Sequence, residues 1–127
     1  MKPQRNLPNQ LQILGRLGEN IASSYLEKHG FSIIDRNFKA SYGEIDILAM
    51  KDGMLIAIEV KTRRGDTYGL PEESVTPRKL HEVVKTLEYY CLLHPNLPDD
   101  IRIDVIGIIL GDEDEVNYFN HIENVTM

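Results

Sequence analysis

Tryptophan is absent, cysteine occurs once, and aromatic residues make up only 7% of the chain. Each scarcity closes a route. Cys91 alone cannot form an internal disulfide, so the fold has to stand on burial without staples, and the cytoplasm is its expected home. Cys91 falls late in an apolar helical pattern near Leu87 and Tyr90, the setting of a small buried hydrophobe rather than of a nucleophile. The thin aromatic content offers no cluster on which sugar rings could stack, which disfavours acid–base hydrolysis of small glycosides. No apolar stretch has the length of a membrane span or the pattern of a signal peptide, so no membrane partner is expected. None of the four histidines stands at metal-ligand spacing, and His121 reads as structural. Internal repeats, low-complexity tracts and phosphate-cradling glycine loops are also missing.

What remains is a chain of 127 residues with 42% hydrophobic content, enough for one compact core. Residues 1–9, polar and carrying Pro3 and Pro8, read as a flexible segment, and 10–127 as a single domain. Leu14, Leu17, Ile21 and Tyr25 recur at helical spacing, and Gly30 supplies the stop. Gly15, Gly18 and Ala22 flank that stripe and would let the helix approach a sheet closely, with Glu19 at its border. Residues 31–38 read as a strand, 44–50 and 54–61 as a hairpin, and 62–69 as a polar, glycine-containing mobile loop. Thr76 before Pro77 caps a second helix running to about residue 93, and 101–110 and 116–122 are the last strands. The order α, β, β, β, α, β, β predicts an α/β fold, a mixed central sheet of about five strands flanked by helices. The helical crossover should make its two flanking strands parallel.

The hairpin holds the chemistry. Asp52-Gly53 between two apolar runs is a strong signal for a two-residue turn. If Lys51 pairs with Met54, partner numbers sum to 105, so Leu48 meets Ala57, Asp46 meets Glu59 and Glu44 meets Lys61. Ile45, Ile47 and Ala49 then share an apolar face with Ile56, Ile58 and Val60. The other face passes from apolar to charged and ends on two opposed carboxylates with Lys61 in reach. Carboxylates roughly 5 Å apart at Cβ repel one another unless something neutralises them. A hard divalent cation, Mg2+ or Mn2+, would do so, because such ions favour oxygen ligands. The competing reading is a solvated patch in which Lys61 balances Glu44 and Glu59. Against it, each acid interrupts a run typical of strands covered on both faces.

The formal net charge of −6 argues at first against a nucleic-acid partner. Its distribution weakens that objection. Residues 99–127 hold eight acids and one arginine, whereas residues 1–98 hold 13 basic and 12 acidic side chains. The run Asp112 to Glu115 reads as a solvated turn. Beside the carboxylate pair, Lys61, Arg63, Arg64, Arg78 and Lys79 offer positive charge to a phosphate, and Tyr68 offers a ring for a base to stack on. A solvated connector explains Tyr68 and Arg64 equally well.

Asp46 followed by Glu59-Val60-Lys61 resembles the signature of the PD-(D/E)XK nuclease superfamily. Gly15-Arg16-Leu17-Gly18-Glu19, Gly43-Glu44-Ile45-Asp46, Glu59-Val60-Lys61-Thr62-Arg63 and Arg102-Ile103-Asp104-Val105 together resemble the bacterial YraN-type family, similar to archaeal Holliday-junction resolvases. The resemblance spans roughly residues 11–123. It implies a restriction-endonuclease-like αβββαβ core and a metal-dependent endonuclease of branched or structured DNA. Asp46, Glu59 and the Val60 carbonyl would hold Mg2+ or Mn2+, Glu19 would complete the site, and Lys61 would serve the attacking water and the developing charge. A homodimer is implied; a protein partner supplying DNA affinity is expected instead from the chain's own acidic balance. Thr62 stands where the resolvases often have serine and keeps the hydroxyl. A non-catalytic nucleic-acid-binding or protein-interaction module on the same fold is the alternative. Glu19 as an ordinary boundary carboxylate, and Asp104 as either a support to the site or a strand-edge acid, stay open at this level.

Overall fold

The structure, a computed structural model, describes residues 9–65 and 69–125. The N-terminal segment and Tyr68 therefore lie outside the described residues, apart from Asn9. Asn9 belongs to the domain: it is the N-cap of helix α1, Gln10–Lys28. Its side chain accepts from the Gln12 amide at 2.8 Å, and the Gln12 side chain accepts from the Asn9 amide at 3.0 Å. This reciprocal box satisfies two donors that a helix start leaves open. The helix ends at His29, and Gly30 turns the chain at φ 87°.

Strands β1 (Ser32–Ala40), β2 (Gly43–Lys51) and β3 (Met54–Arg64) form an antiparallel meander. A 3-10 turn at Pro71–Ser74 leads into helix α2, Pro77–Leu93, capped by the Thr76 hydroxyl. Strands β4 (Ile101–Leu110) and β5 (Val116–Ile122) complete a mixed sheet ordered β1-β2-β3-β4-β5, with β3 and β4 parallel across the α2 crossover. The two-residue hairpin is present. Asp52 and Gly53 both have positive φ, 51° and 75°, and Lys51 pairs with Met54.

Each helix covers one face of the sheet. Leu14, Ala22 and Leu26 of α1 pack on Ile47, Ala49, Ile56, Ile58, Val60, Ile106 and Ile108. Leu80, Val83, Leu87 and Tyr90 of α2 pack on Ile45, Leu48, Leu55, Ala57 and Ile103. Gly18 lets α1 come close: a Cβ there would lie 2.8 Å from Thr62 Cβ. Gly15 has no such role, since nothing lies within 4 Å of a Cβ built on it.

Strict alternation puts Ile45 beside Ile47, and the structure separates them. Ile45 joins the α2 side and Ile47 the α1 side. The cause lies across the ladder, where Arg36 pairs with Ile47 and Phe38 with Ile45. Asn37, between them, takes φ 56°, a left-handed conformation that turns the strand over. Phe38 accordingly packs with the α2 side, while Arg36 reaches Glu19 of α1. Asp46 sits at that reversal.

Candidate functional site

Regular pairing of β2 with β3 follows the expected register from Lys51–Met54 to Ile47–Ile58 and stops there. The next pair would be Asp46 with Glu59, and side chains take over from the backbone ladder. The Val60 amide donates to Asp46 Oδ2 at 2.8 Å, and the Asp46 amide lies 3.4 Å from Glu59 Oε2. The strands part at this point, and the two carboxylates occupy the gap.

Burial sets the electrostatics. Glu59 is 1% exposed. Burial and then the charge of Asp46 push its carboxyl up to about 8, against the pull of Lys79 and Lys61. Burial also raises the Asp46 carboxyl, opposed first by the Val60 amide; Glu44 adds to the rise, and Lys61 and Lys79 oppose it. Without a bound cation, the pair therefore retains a proton to higher pH than free carboxylic acids do. Two acids held in this protonated bias form a site short of positive charge.

Glu19 looks toward the same place from α1. Burial raises its carboxyl, followed by repulsion from Asp46, against hydrogen bonding from Asn37 and the charge of Arg36. Arg36 Nη2 stands 3.6 Å from Glu19 Oε1, and that oxygen is buried without a hydrogen-bond partner. Glu19, Asp46 and Glu59 thus share one electrostatic neighbourhood, although among the described residues no three His, Cys, Asp or Glu side chains converge as a metal cage.

The five candidate phosphate-facing groups divide. Lys79 turns inward, its ammonium 3.8 Å from Glu59 Oε1. Arg78 turns outward, its side chain 92% exposed, and meets Glu82 at 4.0 Å. Arg64 extends β3, which runs past Lys61 further than its polar sequence implies, and pairs with Asp114 at 2.8 Å. That contact also ties the acidic turn to the end of β3. Arg63 is half-buried on β3 opposite Ile109, and Tyr68 is outside the described residues.

Two features of the site go beyond the sequence expectations, and only one of them has a readable signal. The reversal at Asn37 has no readable signal, because asparagine tolerates positive φ without requiring it. The inward turn of Lys79 does have one, since Lys79, Val83, Thr86 and Tyr90 keep one helical stripe. Glu72 of the 3-10 turn forms a separate cluster: its Oε2 accepts from Asn120 at 2.9 Å and from the Tyr118 hydroxyl. A Cβ at Gly107 would lie 2.9 Å from Glu72 Cδ, so glycine there makes room for the carboxylate.

Asp104 is fully buried and does not touch the Asp46–Glu59 pair. Arg102 donates to it twice, at 2.9 and 3.0 Å, and the Asn124 amide once at 2.9 Å. His121 Nε2 lies 2.8 Å from it, and the opposite ring nitrogen 3.1 Å from the Tyr25 hydroxyl. Burial works against its charge, yet these bonds hold the Asp104 carboxyl below its ordinary range. Asp104 and His121 are a structural network, as expected for His121.

The donor set around Asp46 fits a hard divalent cation. It consists of oxygen donors, and Mg2+ characteristically uses one or two carboxylates while keeping several waters. Glu19 Oε1, buried without a hydrogen bond and facing only the Arg36 guanidinium at 3.6 Å, is a further oxygen within the electrostatic reach of Asp46.

Similar proteins extend over most of the chain. A protein of Syntrophomonas wolfei is 42% identical over 111 residues, 87% of this chain and 95% of its own length. Proteins of Alkaliphilus metalliredigens and Dictyoglomus turgidum are 39% and 40% identical, covering 85% and 87% of this chain and 95% and 94% of their own. All three bear the description UPF0102 protein. Among solved structures, a repair endonuclease from Pyrococcus abyssi is similar at 20% identity and a TM-score of 0.35, over 86% of this chain. This chain spans 40% of that structure's length, and a likeness of that degree carries no argument about activity. Residues 18–108 match the uncharacterised protein family UPF0102, and this chain belongs to that family.

Proposed function

We propose that the chain is a divalent-metal-dependent endonuclease that hydrolyses phosphodiester bonds of branched or structured DNA. One observation carries the reading: a fully buried carboxylate, Glu59, and a half-buried one, Asp46, meet where the β2–β3 ladder opens, inside the field of two lysines. An acid pair withdrawn from water in this way is costly to the fold, and clusters with perturbed titration concentrate at functional sites.

Asp46 and Glu59 would hold Mg2+ or Mn2+, with the Val60 carbonyl beside them and Glu19 completing the site. The bound ion supplies positive charge to phosphate oxygens and lowers the pKa of water. Lys61, on the β3 face of Glu59, donates to the attacking water and to the oxygens that gain charge at phosphorus. Arg63 and Lys79 would meet the scissile strand and Arg64 and Arg78 would contact it further out, while Tyr68, outside the described residues, is the candidate ring for a base to stack on. The net charge of −6 gives an isolated chain weak affinity for DNA. A homodimer or a basic protein partner would supply the missing surface, in the cytoplasm.

A second reading has its own support. The Lys79 ammonium already stands 3.8 Å from Glu59 Oε1, and no three acids converge among the described residues, as in a binding module that keeps the fold with a silent site. Mn2+ titration of wild type and Asp46→Asn separates the two. An endonuclease should show saturable binding that the variant loses by at least about tenfold; no binding by wild type favours the module.

A further inference from the structure

Lys79 stands at an unfavourable place for a cation. It lies in the first turn of α2, where the helix dipole repels positive charge, and its own amide is taken by the Thr76 hydroxyl at 3.2 Å. Arg78, beside it, meets the same repulsion by extending into solvent. Lys79 instead lies along the buried stripe of α2, its side chain 28% exposed and its ammonium against Glu59 Oε1. What holds it there is the carboxylate, which has no other cation within ion-pair distance among the described residues.

The ammonium is not sealed in. An open cleft of about 360 Å³, lined by Lys39, Ala40, Gly43, Glu44 and Lys79, lies beside it. A four-carbon stem can swing its charge from Glu59 into that cleft without moving α2. Once ionised, Glu59 is a single anion facing two claimants, a resident lysine and an incoming divalent ion. Close occupation by both places like charges together at a buried site, where repulsion is poorly screened.

We infer that Lys79 is a displaceable counter-ion of the acid pair: it balances Glu59 in the metal-free protein, is expelled by the divalent ion, and then receives a phosphate oxygen in the adjoining cleft. This rests on the metal-centre reading above and adds a coupling to it. A phosphate that takes up the displaced ammonium relieves the competition at Glu59, so DNA tightens ion binding and the ion tightens DNA binding by the same factor. Lys79 is a positioning residue in this scheme, distinct from Lys61, which serves the reacting atoms.

Calorimetric titration of the full chain with Ca2+, which occupies oxygen sites and allows DNA to be present, tests the scheme. Lys79→Met should bind Ca2+ about tenfold more tightly than wild type, a factor equivalent to one unit of pKa. Lys79→Arg should stay near wild type because it keeps the charge, as should Lys28→Met, which removes an exposed lysine at the far end of α1. A short DNA duplex should tighten Ca2+ binding in wild type and do so less in Lys79→Met. Equal or weaker ion binding by Lys79→Met, or equal tightening in Lys79→Arg, overturns the counter-ion role. If wild type binds Ca2+, Asp46→Asn does not, and Lys79→Met is unchanged, only the lysine's role falls. If wild type takes up no ion, the metal centre falls with it.

Discussion

Glu59 is the side chain at which fold and function pull hardest against each other. Its carboxyl is raised from an ordinary 4.5 to about 8 by burial and by Asp46. A raised acid pKa means that the folded chain binds more protons than the unfolded chain between those two values. Stability of the metal-free protein therefore falls as pH rises through that window, the opposite of an acid held by a salt bridge. In chelator, Glu59→Gln should flatten this slope and leave the variant more stable than wild type at pH 8. Urea midpoints at pH 5 and pH 8 read the difference. A slope identical in wild type and variant would mean that Glu59 ionises freely in the folded protein. The same residue shows how much sequence can say. One turn and the period of a strand bring Asp46 and Glu59 near each other, because Asp-Gly fixes a register that everything after it inherits. That Asp46 bonds the Val60 amide instead of continuing the ladder is not legible, since it depends on where the two strands part.

At the scale of elements, helix α1 and strand β3 touch through Gly18 and Thr62. This contact sets the height of Glu19, the next residue, above the sheet. Gly18→Ala should cost about 1–3 kcal/mol through overpacking, even though alanine is the better helix former. Thr62→Ala removes the Oγ1 and Cγ2 that the new methyl would strike and leaves only the Cβ, so the double variant should recover part of the loss, with a coupling of about 1 kcal/mol in a thermodynamic cycle. Additive losses would place the strain elsewhere. The helices and strands themselves are largely legible. Apolar periodicity marks both helices, Thr76-Pro77 marks the start of α2, and the crossover marks β3 and β4 as parallel. The reversal at Asn37 breaks the pattern, since strict alternation has no place for a left-handed residue inside a strand. Alternation assigns Ile45 to the wrong face for that reason alone. The 3-10 turn at Pro71–Ser74 is also invisible to periodicity, because four residues are too few to show a period.

Across the whole molecule, two polar networks divide the labour. Asp104, Arg102, His121 and Tyr25 satisfy one another and tie α1 to β4 and β5. Asp46 raises both Glu19 and Glu59 and with them the demand for positive charge, and a molecule with a net charge of −6 has little to spare. The satisfied network stabilises the fold. The unsatisfied one is where the proposed cation and phosphate would bind. It lies where the β2–β3 ladder ends, beside the start of α2 and the open cleft lined by Lys39, Gly43, Glu44 and Lys79. The direct test is cleavage of branched, flapped and linear DNA in Mn2+ by wild type, Asp46→Asn and Lys61→Ala purified side by side. A metal centre at the acid pair predicts metal-dependent cuts by wild type, favouring branched substrates, and a loss of about 100-fold or more in each variant. Equal rates in all three proteins, or cleavage that persists in full chelation, would contradict it.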